Sequence, residues 1–251
     1  MSLRFLPVSA LVAFLCLPAI VQAQSGQADT GFLQQSVSGA IKSYQQTIGM
    51  QALLYNGSEY RVQVRPHIEG NQYYDAKTFV EGNVAYDGAL YSSVPLLYDV
   101  ELDEVITIHP VSGLSQKLVK EKVSGFEIGK HTFIRIAVDS AAKASLKPGF
   151  YSLLYDGETK ALHRREKVLQ ERVTNNGYEG EYKTTDRFYL LKDGVYYPVK
   201  SKGSVLNVLR DQKKELNKFI RENSIRFKYQ RESALAKIAA HYDSLEANTG
   251  E

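Results

Sequence analysis

Tryptophan is absent, and the only cysteine, Cys16, stands in an apolar leader, so the chain beyond that leader has no thiol. This excludes a disulfide framework, a thiol nucleophile and a thiolate metal site there. Seven prolines and 18 glycines are too few for a collagen-like or low-complexity chain. Neither sign of charge dominates. Thirty-one Lys plus Arg stand against 28 Asp plus Glu, a net +3, well short of the basic excess of a dedicated nucleic-acid binder. No apolar run beyond the leader reaches the ~20 residues of a spanning helix. What is present, 43% hydrophobic and 24% charged residues in a 251-residue chain, is the profile of a folded globular protein that holds together by packing alone.

Residues 1–23 carry Arg4, an apolar run from Phe5 to Val21, and then Val21-Gln22-Ala23 before polar Gln24. This pattern is that of a secretory signal peptide cut after Ala23. Pro7, Ser9 and Pro18 interrupt the run, and Leu15 replaces the small residue that a lipid-anchored Cys16 would need before it. The expectation is a periplasmic or secreted protein with a flexible leader over 24–29, a single globular domain over 30–246 and a frayed tail over 247–251.

Thr30 is placed to cap a helix over 30–48, in which Leu33, Val37, Ala40, Ile41, Tyr44 and Ile48 recur at helical spacing. From 50 to 199 the period becomes that of strands. Asn56-Gly57, Asp87-Gly88, Asp156-Gly157 and Asp193-Gly194 each sit between β-formers, as type I′ hairpin turns require. Helical period returns over 204–246. Ser204 is the expected cap of one helix carrying Val205, Val208, Leu209, Leu216, Phe219 and Ile220, and a second carries Ala234, Leu235, Ile238, Ala239, Tyr242 and Leu245. The predicted class is α+β: a curled antiparallel β-sheet, half-barrel or barrel-like, with an N-terminal helix and a C-terminal helical hairpin.

Leu54-Tyr55-Asn56-Gly57-Ser58-Glu59-Tyr60, the stretch from Glu81-Gly82 through Tyr86-Asp87-Gly88 to Tyr98-Asp99, and Tyr196-Tyr197-Pro198-Val199-Lys200-Ser201-Lys202 resemble an uncharacterised family of exported proteins from Bacteroidota-type Gram-negative bacteria. The resemblance spans nearly all of the chain after the leader. It implies an envelope location and supplies no activity, ligand or catalytic residue.

Motifs for chemistry are weak. Ser140-Ala141-Ala142-Lys143 matches Ser-x-x-Lys, but its partner motifs are missing, Lys183-Thr184-Thr185 being the nearest miss. Gly125 to Lys130 is one residue short of a phosphate loop and reads as a hairpin. The five histidines, His67, His109, His131, His163 and His241, show no metal spacing, and His67-Ile68-Glu69 offers two groups where zinc needs three or four. Asp99, Glu101 and Asp103 alternate along an extended segment without the glycine-bent loop of a calcium site, so they read as a solvated edge. Seventeen tyrosines read as cross-strand partners before they read as a sugar- or peptide-binding surface. No catalytic, metal or cofactor-binding residue is assigned.

Charge is unevenly placed. Residues 69–107 hold eight acids and one base, a net −7, and residues 200–237 hold eleven bases and four acids, a net +7. Lys213, Lys214, Lys218 and Arg221 form the candidate partner-binding basic face, turned to an envelope protein or an anionic membrane surface; nucleic acid is excluded by the equally strong acidic region. The leading expectation is a non-catalytic soluble cell-envelope protein binding a partner protein or membrane surface. A periplasmic carrier of a lipid or lipid-modified chain is the alternative, and a hydrolase ranks third.

Overall fold

The structure, a computed structural model, describes residues 36–37, 39–40, 53–61, 65, 67–75, 77–137, 146–175 and 177–249. The chain divides into two units, residues 1–43 and 44–251. In the first, Ser36, Val37, Gly39 and Ala40 are helical. The expected signal peptide, the flexible leader, the rest of the 30–48 helix and the segment Ser140 to Lys143 lie outside the described residues.

The second unit is built on one large sheet. Its strands are β1 (Ile68–Glu69), β2 (Val80–Tyr86), β3 (Ala89–Asp99), β4 (Glu104–Ile108), β5 (Ser115–Lys117), β6 (Val123–Ile128), β7 (His131–Ile136), β8 (Gly149–Tyr155), β9 (Ala161–Thr174), β10 (Gly177–Lys192) and β11 (Val195–Val199). Three helices follow, α1 (Lys202–Val208), α2 (Lys213–Glu222) and α3 (Arg231–Thr249). The spatial order is β1-β10-β9-β8-β7-β6-β2-β3-β4-β5, with β11 also on β10. Two hairpin series, β2 to β5 and β6 to β11, therefore join where β2 pairs with β6.

Two features correct the expectation of a wholly antiparallel, possibly closed sheet. β1 runs parallel to β10, pairing Ile68 with Gly180 and Glu69 with Glu181, so the sheet is mixed. It covers a stretch of the β10 edge that β11, ending opposite Phe188, does not reach. The sheet is not closed: among the described residues no pairing joins β5 to the β1 and β11 side.

The Asp-Gly turns fall out unequally. Asp87 and Gly88 have φ of 52° and 80°, and Asp193 and Gly194 have 50° and 75°, the two positive angles of a type I′ turn. Asp156-Gly157 instead lies in a longer β8–β9 connection, with no positive φ at either residue. Asn56-Gly57 makes no hairpin. Leu53–Tyr55 form a 3-10 turn, and Gly57 runs so close to β5 that a Cβ would sit 1.6 Å from the Lys117 carbonyl oxygen. Gly88 has open space around it, so only its backbone angle resists a side chain. Gly88→Val is expected to cost about 1–2 kcal/mol, a fall in melting midpoint of a few degrees by scanning calorimetry; an unchanged midpoint would refute the turn.

One core gathers aromatic residues between β2 and β8. Phe126 and Phe133 stack at 4.6 Å between centroids, and Tyr98 meets each edge-on at 5.2 Å, an arrangement that adds to simple burial. A second core joins Ala161, Phe188, Leu190 and Val199 of the sheet to Val205, Leu209, Leu216, Leu235 and Ile238 of the helices. Here too the sequence reading is corrected. Ser201, not Ser204, caps α1: its side chain accepts from the Ser204 N–H at 3.2 Å while Ser204 Oγ accepts from the Ser201 N–H at 3.0 Å, a capping box. The expected single helix breaks at Leu209 (φ −97°, ψ 42°) into α1, a 3-10 turn over Arg210–Gln212, and α2. Asp211 in that turn is tied to Lys192 and accepts from Tyr242 OH at 2.6 Å, which fixes the break. The helical hairpin is thus a three-helix arrangement. Ala247 to Thr249, expected to fray, continue α3.

Candidate functional site

Two places in the second unit concentrate chemistry: the basic face expected from sequence, and a charged cluster around buried His163 that sequence reading missed. Lys213, Lys214, Lys218 and Arg221 all lie on α2 and are all exposed. Leu216 and Ile220 hold the opposite side of the helix in the core. Lys214, Lys218 and Arg221 follow at four- and three-residue spacing and so form a stripe; Lys213 stands apart from it by about a quarter turn. Among the described residues none of the four is ion-paired. The acidic segment does not neutralise them. Asp87 pairs with Lys122 at 2.8 Å, Asp103 with Lys120 at 2.6 Å and Glu104 with Lys117 at 3.7 Å, all within residues 87–122.

The acids expected to line a solvated edge are largely consumed. Asp99 is buried, accepting from Tyr60 OH at 2.7 Å and from the Leu102 N–H at 3.0 Å. Asp103, at φ 56° in the β3–β4 turn, accepts from Tyr98 OH at 2.7 Å. The segment bends after Asp99, so the three carboxylates do not share a face. Asp99 adds to burial in pushing the Tyr60 hydroxyl well above the usual tyrosine range. The paired tyrosines also go mainly inward, with Tyr73, Tyr74 and Tyr196 buried.

The cluster forms where β7, β9, β10, the 71–75 segment and the start of α3 converge. His163 on β9 is fully enclosed, its ring stacked on Phe188 at 4.7 Å. Its Nε2 is 2.9 Å from Asp186 Oδ1, and its Nδ1 is 3.4 Å from Glu232 Oε1 and 3.5 Å from Tyr74 OH. Arg165, two residues on and therefore on the same face, donates to both Asp186 oxygens at 2.8 and 3.3 Å and to Asp75 at 3.2 Å. Its guanidinium covers the Tyr74 ring at 4.9 Å. Lys167, next along that face, donates to the carbonyls of Asn71 and Tyr73 and so clamps the segment that carries Tyr74 and Asp75. On the far side His131 Nε2 lies 3.0 Å from Asp75 Oδ2, without the alignment of a hydrogen bond.

Electrostatics follow from this packing. Burial acts to raise Asp186, but the hydrogen bonds and charges of His163 and Arg165 overcome it and hold the carboxyl well below the usual range. Burial, with the Glu232 charge, pushes the Tyr74 hydroxyl well up. Burial and neighbouring Arg165 lower Lys167. A general base must come within about 3 Å of the proton it takes, and the enclosed His163 ring offers no such approach. What the cluster does is fasten α3 and the 71–75 segment to the sheet. Among the described residues no three His, Asp or Glu side chains converge as a metal site, and no helix is long and apolar enough to cross a membrane. Only the alternation of His163, Arg165 and Lys167 in the sequence pointed to this cluster. No protein-family model, curated protein or solved structure matches the chain.

Proposed function

We propose that this chain, once exported, is a non-catalytic peripheral protein of the cell envelope that rests its C-terminal helices on an anionic membrane surface. The observation that carries the reading is the α2 face, whose four exposed cations find no acid within the described part of the chain. Tyr229, 74% exposed between Lys228 and Arg231 in the segment joining α2 to α3, adds an aromatic ring of the kind that settles among head groups. A half-barrel curl of the β2 to β8 part, gathering its aromatic residues inward, belongs to the same reading and leaves the helices as the outward platform. The lipid-carrier alternative gains less support, because side chains such as Phe188, Leu190, Leu216 and Leu235 fill the space between sheet and helices.

Each cation close to an anionic surface contributes about 1 kcal/mol. Replacing Lys213, Lys214, Lys218 and Arg221 together with Gln is therefore expected to weaken co-sedimentation with phosphatidylglycerol vesicles by well over tenfold at low ionic strength. Folding should change by no more than about 0.5 kcal/mol, and added salt should remove the difference between variant and wild type. Equal co-sedimentation at low salt would end the proposal. So would failure of the wild type to bind vesicles while cross-linking to one acidic envelope protein, which would give the face to that partner.

A further inference from the structure

A cavity of about 210 Å³ opens beside the cluster around His163, away from the α2 face. Its floor is the aromatic core, Tyr74, Tyr98 and Phe133, with Leu96; its rim is formed by Asp75, Thr78 and the Gly129-Lys130 turn of the β6–β7 hairpin. An apolar cavity of about 150 Å³ holds a benzene ring, so this one has room for a single substituted ring or a short aliphatic chain. It falls below the ~300 Å³ at which drug-sized ligand sites begin, and a long acyl chain does not fit.

The rim decides the head group. Among the described residues Asp75 is the only carboxylate there, and both of its oxygens already face a partner, one Arg165 at 3.2 Å and the other His131 Nε2 at 3.0 Å. Lys130 is exposed, and its ammonium makes no ion pair or hydrogen bond among the described residues. His131 also lines the cavity, but its Nε2 is enclosed and faces Asp75 Oδ2 at 3.0 Å. The unspent group is thus a cation, above an aromatic floor. A cavity with this division binds a molecule that is apolar at one end and anionic at the other.

We propose that the cavity is a binding site for a small monocarboxylate carrying a single aromatic ring or a short aliphatic chain, with its tail on Phe133 and Tyr98 and its carboxylate at Lys130. The site is independent of the α2 face, so either proposal stands without the other. Lys130 supplies the charge that selects an acid over an amine.

Titration calorimetry and ligand-observed NMR of the full chain with benzoate, hexanoate, benzyl alcohol and benzylamine test this. Benzoate and hexanoate should bind, with benzylamine at least tenfold weaker. Lys130→Glu, on an exposed turn, should leave the melting midpoint unchanged and reduce benzoate affinity at least tenfold. Val80→Phe, which projects bulk from the partly buried cavity wall, should abolish binding of both acids while the protein stays folded. If that variant does not fold, the Lys130→Glu result decides alone. Equal binding of benzoate, benzyl alcohol and benzylamine would overturn the proposal, as would a Lys130→Glu variant that binds benzoate like wild type or the absence of any binding at millimolar ligand.

Discussion

Leu235→Ala is expected to lower the free energy of unfolding by about 3–4 kcal/mol. Leu235 has no exposed surface and lies in the core where α3 meets the sheet, among Ala161, Leu190, Val205 and Ile238. Truncation removes the transfer free energy of three carbons and leaves a cavity. The sheet side of that cavity is a paired ladder that cannot move in to fill it, so the cost lies well within the range seen for buried leucines. The four cations on the neighbouring helix sit at the other extreme: exposed charges contribute about 0–1 kcal/mol each even when paired, and these have no ion-pair partner among the described residues. Urea unfolding should show the Leu235→Ala midpoint fall with its slope unchanged. A loss under about 1 kcal/mol would mean that the site relaxes freely and that the helices are loosely seated. If the alanine variant does not accumulate folded, Ile238→Val should show a loss of about 0.5–1.5 kcal/mol at the same interface.

The parts of this fold that were legible in the sequence are those where one local signal decided the geometry. Asp87-Gly88 and Asp193-Gly194 dictate tight hairpins because few residue pairs accept two positive φ angles. The apolar stripe from Val205 to Leu245 dictates helices docked on a sheet, and Leu216 and Ile220 set the four cations of α2 outward. Longer strands were hidden by their own exposure. Over Arg164 to Glu171, β9 reads Arg-Arg-Glu-Lys-Val-Leu-Gln-Glu, and most of that stretch is only partly buried or exposed on both faces, so it lacks the apolar alternation that marks a strand. Its partner β10 shows that signal only from Phe188 onward, where burial begins. Its ladder with β9 runs from Gly177 to Leu190, and such pairing leaves no trace in the sequence of either strand alone. Gly57 misled for another reason. Asn-Gly is a turn signal, but here the glycine is needed for a close backbone approach to Lys117, which is a tertiary demand. The cluster around His163 was nearly as well hidden: beyond the alternation of His163, Arg165 and Lys167, its members Asp75, His131, Asp186 and Glu232 come from four other parts of the chain.

Asp186→Ala should destabilise the protein by about 2 kcal/mol near neutral pH, the cost of leaving an enclosed hydrogen-bonding group unsatisfied. The Asp186 side chain is 31% exposed, so the loss falls short of that for a buried charge pair, but the His163 ring that depends on it is fully enclosed. Without the carboxylate, His163 Nε2 has no solvent to turn to, and among the described residues Arg165 keeps as acidic partners only Asp75 and, at 3.9 Å, Glu232. Asp186→Asn restores an acceptor without the charge and should recover part of the loss. The dependence on pH separates this cause from lost packing. Asp186 titrates lower in the folded chain than its ordinary value, so its stabilisation is complete above the unfolded pKa of about 3.9 and drains away as the pH falls toward the depressed folded value. The alanine variant has no such contribution to lose. Tyr74, Asp75, His131, His163 and Glu232 surround the site and are the same in both proteins. The gap between wild type and variant, read from urea unfolding, should therefore narrow from near pH 7 to about pH 3. A gap that stays constant over that interval would assign the destabilisation to the missing atoms of the side chain, and the charge of Asp186 would then have no part in holding α3 to the sheet.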